Sequence, residues 1–133
     1  ETVDTEGDVG QWPDLHVADG MLYIAYHDVQ NQSLKYAKGR PGDWSIQTVD
    51  DAEMVGADSD LVLHDGVASI VYFDGRFNDM KMARESGGSW TIDTVTGADG
   101  ALGFHNELVR IGGRSYAACY NYTEGKVWFS LVD

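Results

Sequence analysis

The chain repeats itself at a spacing of 46 residues. Residues 44–50 (WSIQTVD) return as residues 90–96 (WTIDTVT), and residues 23–28 (YIAYHD) return as residues 69–74 (SIVYFD) and, after one inserted residue, as residues 116–121 (YAACYN). Similarity at a fixed period of this length is typical of repeat architectures, in which each copy is one supersecondary unit. The sequence therefore predicts three serial copies of one unit, over residues of about 5–50, 51–96 and 97–133.

Each copy has the pattern of four short strands. In the first copy the strands are predicted at residues 14–17, 21–28, 34–38 and 44–50, which are rich in β-branched and aromatic residues and are bounded by Gly, Asp, Asn or Pro. No segment has the 3.6-residue apolar period of a helix. A period of about 40–50 residues that contains four strands is typical of a β-propeller blade, so we expect an all-β fold of three blades.

The repeat also resembles a known group of proteins. The residues that carry the resemblance are Leu-Lys-Tyr-Ala at 34–37, Trp-Ser-Ile-Gln-Thr-Val-Asp at 44–50, and Asp-Leu followed by an Asp-Gly turn in the first two copies. This pattern is similar to the repeats of secreted bacterial β-propeller proteins of the BNR or sialidase-like type, and it covers essentially the whole chain. The resemblance implies the propeller architecture and a secreted or extracellular location, whereas a shared fold does not by itself carry a function.

The charge of the chain excludes some partners. The sequence has 22 acidic and 9 basic side chains, for a formal net charge of -13. Nucleic acid and anionic membrane surfaces need basic patches, so we expect neither as a partner. A neutral glycan, a cation or a basic protein surface fits this charge better.

The ends of the chain favour assembly with other copies. Residues 1–4 (ETVD) match the end of the fourth strand of a copy, and the third copy stops after its third strand. Three blades are too few for a closed ring, which typically has about 4–8. We therefore expect residues 1–4 to be the outer strand of the last blade of a neighbouring chain, in a six-bladed homodimer first and a nine-bladed homotrimer second. Alternatives are a fragment of a larger propeller or an engineered half.

A ligand site is expected where the longest connections lie. These are residues 5–13, 51–59 and 97–106, which join the last strand of one copy to the first strand of the next. Loops on a rigid scaffold commonly carry binding groups. The candidate ligand-binding residues on this face are Gln11, Trp12, Asp28, Asp58, Asp74, Phe104, His105, Arg76, Asn121 and Tyr122. Trp12, Phe104 and Tyr122 stand where the repeat does not require a large ring, and an aromatic beside polar groups is how proteins hold sugars. These rings could instead fill the channel or pack between blades.

Several polar positions have a simpler interpretation. Asp28, Asp74 and Asn121 share one repeat position, where Asp and Asn commonly fix a turn. Asp14, Asp60 and Glu107 share another, and their oxygens could also hold a cation. The segment at 74–79 (DGRFND) only faintly resembles a calcium loop, so Ca²⁺ is a weak expectation and no other cofactor is predicted.

The sequence leaves three functions open. The first is a non-catalytic ligand-binding module that binds carbohydrate in the manner of a lectin. The second is a structural propeller that binds another protein, and the third is a glycoside hydrolase. The Ser-x-Asp-x-Gly-x-Thr-Trp boxes of sialidases do not occur in the chain, so no catalytic residue is assigned.

Overall fold

The computed structural model describes residues 1–95 and 100–133, and these residues form an all-β protein with eleven strands in three antiparallel sheets. The first sheet is β1 (Val9–Ala18), β2 (Met21–Asp28), β3 (Ser33–Arg40) and β4 (Asp43–Asp50). The second sheet is β5 (Val55–His64), β6 (Val67–Asp74), β7 (Asp79–Ser86) and β8 (Ser89–Val95). The third sheet is β9 (Phe104–Ile111), β10 (Arg114–Asn121) and β11 (Lys126–Leu131). In each sheet the strands lie side by side in chain order.

The all-β prediction is confirmed. Within the two described ranges the chain forms no helix, and so none that is long and apolar enough to cross a membrane. The second strand of the first sheet has the predicted bounds, whereas the third strand is three residues longer than predicted and the fourth is one residue longer.

Tight hairpins join the first two strands of every sheet. The connecting pairs are Asp19-Gly20, Asp65-Gly66 and Gly112-Gly113, and both residues of each pair have positive φ values between 50° and 83°. Two consecutive residues of positive φ form the type I′ turn, whose twist matches that of the strands beside it. The two Asp-Gly pairs therefore form the turns that the sequence predicts, and Gly112-Gly113 forms the same turn in the third sheet.

The first strand of each sheet begins earlier than the sequence predicts. β1 and β5 start at Val9 and Val55, so the segments 5–13 and 51–59 are partly strand and not long loops. The segment 97–106 lies partly outside the described residues. The pairing of β5 with β6 is irregular between Val55 and Asp60, because Gly56 has a φ of 96° and Asp58 a φ of 51°. A bulge of this kind lengthens the strand and redirects its side chains.

The sheets pack face to face through two apolar clusters. The first cluster joins the first and second sheets through residues such as Tyr36, Leu61 and Tyr72. The second joins the second and third sheets through residues such as Met82 and Leu108. Because each cluster takes one face from each of two neighbouring sheets, the sheets follow one another in a row in chain order.

Two tryptophans at the same repeat position differ in their packing. Trp90 packs against the first cluster, with its ring 5.0 Å from that of Tyr36, and its Nε1 donates a hydrogen bond to the side-chain oxygen of Gln47. Trp44 is partly buried, as Trp90 is, and its Nε1 donates to the exposed carboxylate of Glu1. Trp90 therefore packs against the first sheet, whereas the recorded partner of Trp44 is Glu1.

Candidate functional site: a cleft between the first strands

The first strands of the three sheets meet at a cleft of about 250 Å³. Three repeat positions form it, and each position contributes one residue from each sheet. The lining residues are Trp12, Pro13 and Asp14 from β1, Asp58, Ser59 and Asp60 from β5, and His105, Asn106 and Glu107 from β9. We call this site the first-strand cleft. It brings together three of the predicted ligand-binding residues, namely Trp12, Asp58 and His105.

The pairing of each first strand with its second strand is irregular beside these three residues, and this irregularity directs their side chains. Trp12, Asp58 and His105 have φ values of 47°, 51° and 54°, which lie in the left-handed region. Residues other than Gly rarely adopt such values, and those that do are common at binding sites. The same unusual conformation at the same repeat position gives the three side chains equivalent placements around the cleft.

Hydrogen bonds between neighbouring sheets fix the shape of the cleft. The hydroxyl of Ser59 donates to the carbonyl oxygen of Trp12 at 2.9 Å, and the Nδ2 of Asn106 donates to the carbonyl oxygen of Asp58 at 2.9 Å. These two bonds occupy the same place at the two successive junctions. Groups held in this way are preorganised for a ligand, because little ordering is left for binding to achieve.

Two carboxyl groups of the cleft bind the backbone of the next sheet. An Oδ2 of Asp14 accepts the amide of Leu61 at 2.7 Å, and an Oδ2 of Asp60 accepts the amide of Leu108. Burial raises the pKa of Asp60 to about 7. The hydrogen bond from the amide of Leu108 lowers this pKa, and the nearby carboxylates of Asp14 and Glu107 raise it. A carboxyl that is partly protonated at neutral pH reduces the charge repulsion within the cleft.

Trp12 forms the apolar part of the cleft. Its side chain is 44% exposed, and its ring lies 5.4 Å from the ring of His27 at an angle of 53°. Burial lowers the pKa of His27, so this imidazole is neutral at pH 7. The contact with a neutral ring supports one side of the indole and leaves the rest of it open to a ligand.

Phe104 and Tyr122 belong to a separate aromatic group. The ring of Phe104 lies 4.4 Å from that of Phe73 and 5.8 Å from that of Tyr122, and Tyr122 in turn contacts Tyr120. Sequence reasoning did not include Phe73 or Tyr120. The signal for them was present in the alternation of β6 and β10, which places large rings near the ends of those strands.

The repeated Asp28, Asp74 and Asn121 are buried turn residues. Asp28 accepts bonds from the backbone and side-chain nitrogens of Asn31 at 2.9 and 2.8 Å, and Asp74 accepts from the amide of Arg76 at 3.0 Å. Asn121 accepts from the amide of Glu124 at 3.1 Å. All three therefore close the turn after the second strand, which is the simpler of the two interpretations. Arg76 itself is exposed beside the ring of Phe77, and Gln11 is an exposed residue of β1.

The described residues also show whether a group of side chains could bind a metal ion. Among residues 1–95 and 100–133, no group of three or more His, Cys, Asp or Glu side chains is arranged to hold one. In the segment 74–79, one carboxylate oxygen of Asp74 accepts the hydrogen bond of the turn. Its other oxygen lies 3.2 Å from the ammonium nitrogen of Lys81.

Cys119 is a buried thiol on β10. Its sulfur accepts the amide of Gly103 at 3.5 Å, and burial raises its pKa. A thiol with a raised pKa is a poor nucleophile, so this residue belongs to the packing of the third sheet.

No protein-family model matches the chain, and no curated protein matches it.

Proposed function

We propose that the three sheets are blades of a β-propeller and that the chain is a non-catalytic binding module, whose first-strand cleft takes a neutral sugar residue of a glycan. The observation that carries this proposal is the half-exposed indole of Trp12 at a rigid cleft that is otherwise lined by carboxyl, amide, hydroxyl and imidazole groups. Sugars present one apolar C–H face and a rim of hydroxyl groups, and this cleft offers a partner to each.

The size and charge of the cleft select the ligand. A volume of about 250 Å³ is below the range of roughly 300–1,000 Å³ that drug-sized ligands occupy, so it suits one or two sugar rings. The carboxyl groups of Asp14, Asp58, Asp60 and Glu107 repel anions, which disfavours sialic acid and sulfated sugars. Asp58, Glu107 and His105 are the side chains we assign to the sugar hydroxyls.

The anchoring of Asp14 and Asp60 supports a structural role for these two carboxyl groups. Asp14 and Asp60 already accept backbone amides of the next sheet, so these two groups hold the scaffold. A glycoside hydrolase needs two carboxyl groups that face the scissile bond and are free to exchange protons. We therefore assign Asp14 and Asp60 a structural role at the base of the cleft.

A glycan array tests the proposal. The wild-type chain is expected to bind neutral glycans with micromolar affinity and to ignore acidic ones. Trp12→Ala should weaken that binding by about tenfold or more, since it removes the stacking surface. Tyr122→Ala is the matched control, because it removes an exposed aromatic from outside the cleft and should leave the affinity unchanged. An array without neutral glycan binding, or a Trp12→Ala chain that binds like wild type, would contradict the proposal.

A further inference from the structure

The third sheet exposes apolar residues at positions that are buried in the other two. Met82 on β7 is 0% exposed because the third sheet covers it, whereas Phe129, at the same repeat position on β11, is 64% exposed. Leu34, Met80 and Val127 occupy a second such position, and only Val127 is exposed. The outward face of the third sheet therefore has the composition of a covered surface.

The first sheet has the complementary face. Leu61 on β5 is 0% exposed because it packs on the first sheet, while its equivalent Leu15 on β1 is 60% exposed. Beside Leu15 lies an apolar groove of about 210 Å³, which includes Val9, Ile24 and Tyr26 in its lining. On the second sheet the equivalent residues pack in the first cluster against Leu34 and Tyr36. Those two residues are the counterparts of Val127 and Phe129.

Residues 1–4 contact the first sheet in the same way as the end of β4 contacts the second sheet. The carboxylate of Asp4 accepts the hydroxyl of Tyr26 at 2.7 Å and contacts the ammonium of Lys35. Asp50 accepts the hydroxyl of Tyr72 at 2.7 Å and the ammonium of Lys81 at 3.2 Å. Further along, Glu1 and Gln47 accept the indole N–H groups of Trp44 and Trp90. Residues 1–4 thus have the position of the fourth strand of a preceding sheet.

A glycine marks the same junction. A Cβ on Gly56 would lie 2.7 Å from the carbonyl oxygen of Ser33 on the first sheet, and one on Gly103 would lie 2.8 Å from that of Asp79 on the second. A Cβ on the equivalent Gly10 meets no heavy atom of the described residues within 4 Å. Gly10 therefore has the clearance that a neighbouring sheet would require.

We propose that a second copy of the chain covers these faces head to tail, so that two chains form one closed ring of six sheets. Val127 and Phe129 of each copy fill the groove on the first sheet of the other. Residues 1–4 of each copy then form a short fourth strand beside β11 of the other. The pairing of β3 with β4 and of β7 with β8 gives the same register, which places Thr2 opposite Trp128 and Glu1 opposite Phe129.

The occupant is a copy of this chain because the junction between two sheets is already repeated twice within it. Continuing the same junction from the third sheet of one chain to the first sheet of another needs no new type of contact. A head-to-tail contact of this kind closes into a ring when the rotation allows it. Two chains supply six blades, which is within the range of about 4–8 for closed propellers, whereas three chains supply nine. The inference rests on the blade architecture proposed above and not on the ligand.

The mass of the chain in solution tests the proposal. Sedimentation equilibrium at micromolar concentration should give about 29 kDa, twice the 14.6 kDa of one chain. Phe129→Glu should reduce the mass to that of one chain without changing the far-UV circular dichroism of the sheets, because it places a charge at the centre of the junction. Phe77→Glu is the matched control, since Phe77 is a similarly exposed phenylalanine in a turn, and it should keep the double mass.

Gly10→Ala is a second test that leaves the apolar surface intact. It is expected to lower the mass as Phe129→Glu does, because its methyl group would meet the backbone of the partner. A wild-type mass of 14.6 kDa would overturn the proposal, and so would a Phe129→Glu chain that keeps 29 kDa. A mass of three chains, or one that grows steadily with concentration, would overturn the two-copy ring. Glycan binding can fail without any effect on these masses, so the two proposals fail separately.

Discussion

The carboxylate of Asp4 accepts a hydrogen bond from the hydroxyl of Tyr26 at 2.7 Å, and Asp50 accepts one from Tyr72 at the same distance. The two aspartates lie 46 residues apart in the sequence, which is the repeat spacing. Each aspartate also binds a lysine on the third strand of the sheet that holds its tyrosine. Asp4 binds Lys35, and Asp50 binds Lys81. This aspartate therefore ties the end of one sheet to the face of the next.

Removal of one of these carboxylates should destabilise the fold. We expect Asp50→Ala to lower the free energy of unfolding by about 3 kcal/mol, because the ammonium of Lys81 and the hydroxyl of Tyr72 lose a buried partner. Asp93→Ala is the control, since Asp93 is an exposed partner of Arg84 and should cost less than about 1 kcal/mol. Urea unfolding at a fixed protein concentration measures both. Equal losses for the two variants would show that the buried link contributes nothing special.

Gly56 should tolerate no side chain. Its φ of 96° disfavours an L-residue, and a Cβ would approach the backbone of Ser33 and Leu34 to 2.7 Å. Gly20 has a φ of 72° in an open turn with no atom near its Cβ position. We expect Gly20→Ala to cost about 1 kcal/mol from the backbone alone and Gly56→Ala to cost at least about 3 kcal/mol, because a clash is added. Thermal unfolding of both variants tests this, and similar melting temperatures would contradict the close approach.

The raised pKa of Asp60 predicts how stability depends on pH. The proton on Asp60 favours the folded chain fully below the ordinary pKa of 3.8, and this contribution is lost as the pH rises through about 7. Asp60→Asn keeps an acceptor for the amide of Leu108 without the charge. We expect this variant to gain about 1 kcal/mol over wild type at pH 8, after allowance for partial exposure, and to gain nothing near pH 4.

Urea midpoints measured from pH 4 to pH 8 test the expectation for Asp60. Asp51→Asn is the control, because Asp51 is exposed in the connection between β4 and β5. It should follow the wild-type pH dependence throughout. If Asp60→Asn also kept the wild-type dependence, Asp60 would not be the group that titrates.

Much of the fold could be predicted from local patterns. A run rich in β-branched and aromatic residues predicted the bounds of β2, and the Asp-Gly pairs predicted the hairpins, because both signals depend on residues close in sequence. The early start of β1 was missed, since no sequence pattern announces a left-handed φ at Trp12. The different partners of Trp44 and Trp90 could not be predicted for a related reason. They depend on which segment packs beside each ring, and the repeat makes the two positions look alike.

The candidate site also has a part that could be predicted from the sequence and a part that could not. Trp12 could be selected because the repeat does not require a large aromatic residue at its place, where the other copies have Asp58 and His105. Its convergence with Asp58 and His105 depends on the packing of three sheets, and so does the pKa of Asp60. Composition alone gave no reason to choose this carboxyl from among 22 acidic residues.

Disulfide trapping between copies tests the central claim most directly. In a Cys119→Ala background, Glu1→Cys combined with Phe129→Cys places the two thiols at opposed positions of the proposed fourth strand. Mild oxidation should convert this chain to a covalent dimer on a non-reducing gel. The control pairs Glu1→Cys with Val127→Cys, two residues away along the same strand, and should remain largely uncrosslinked. A Glu1→Cys, Phe129→Cys chain that stays monomeric, or one that crosslinks no better than the control, would contradict the exchange of residues 1–4 between copies.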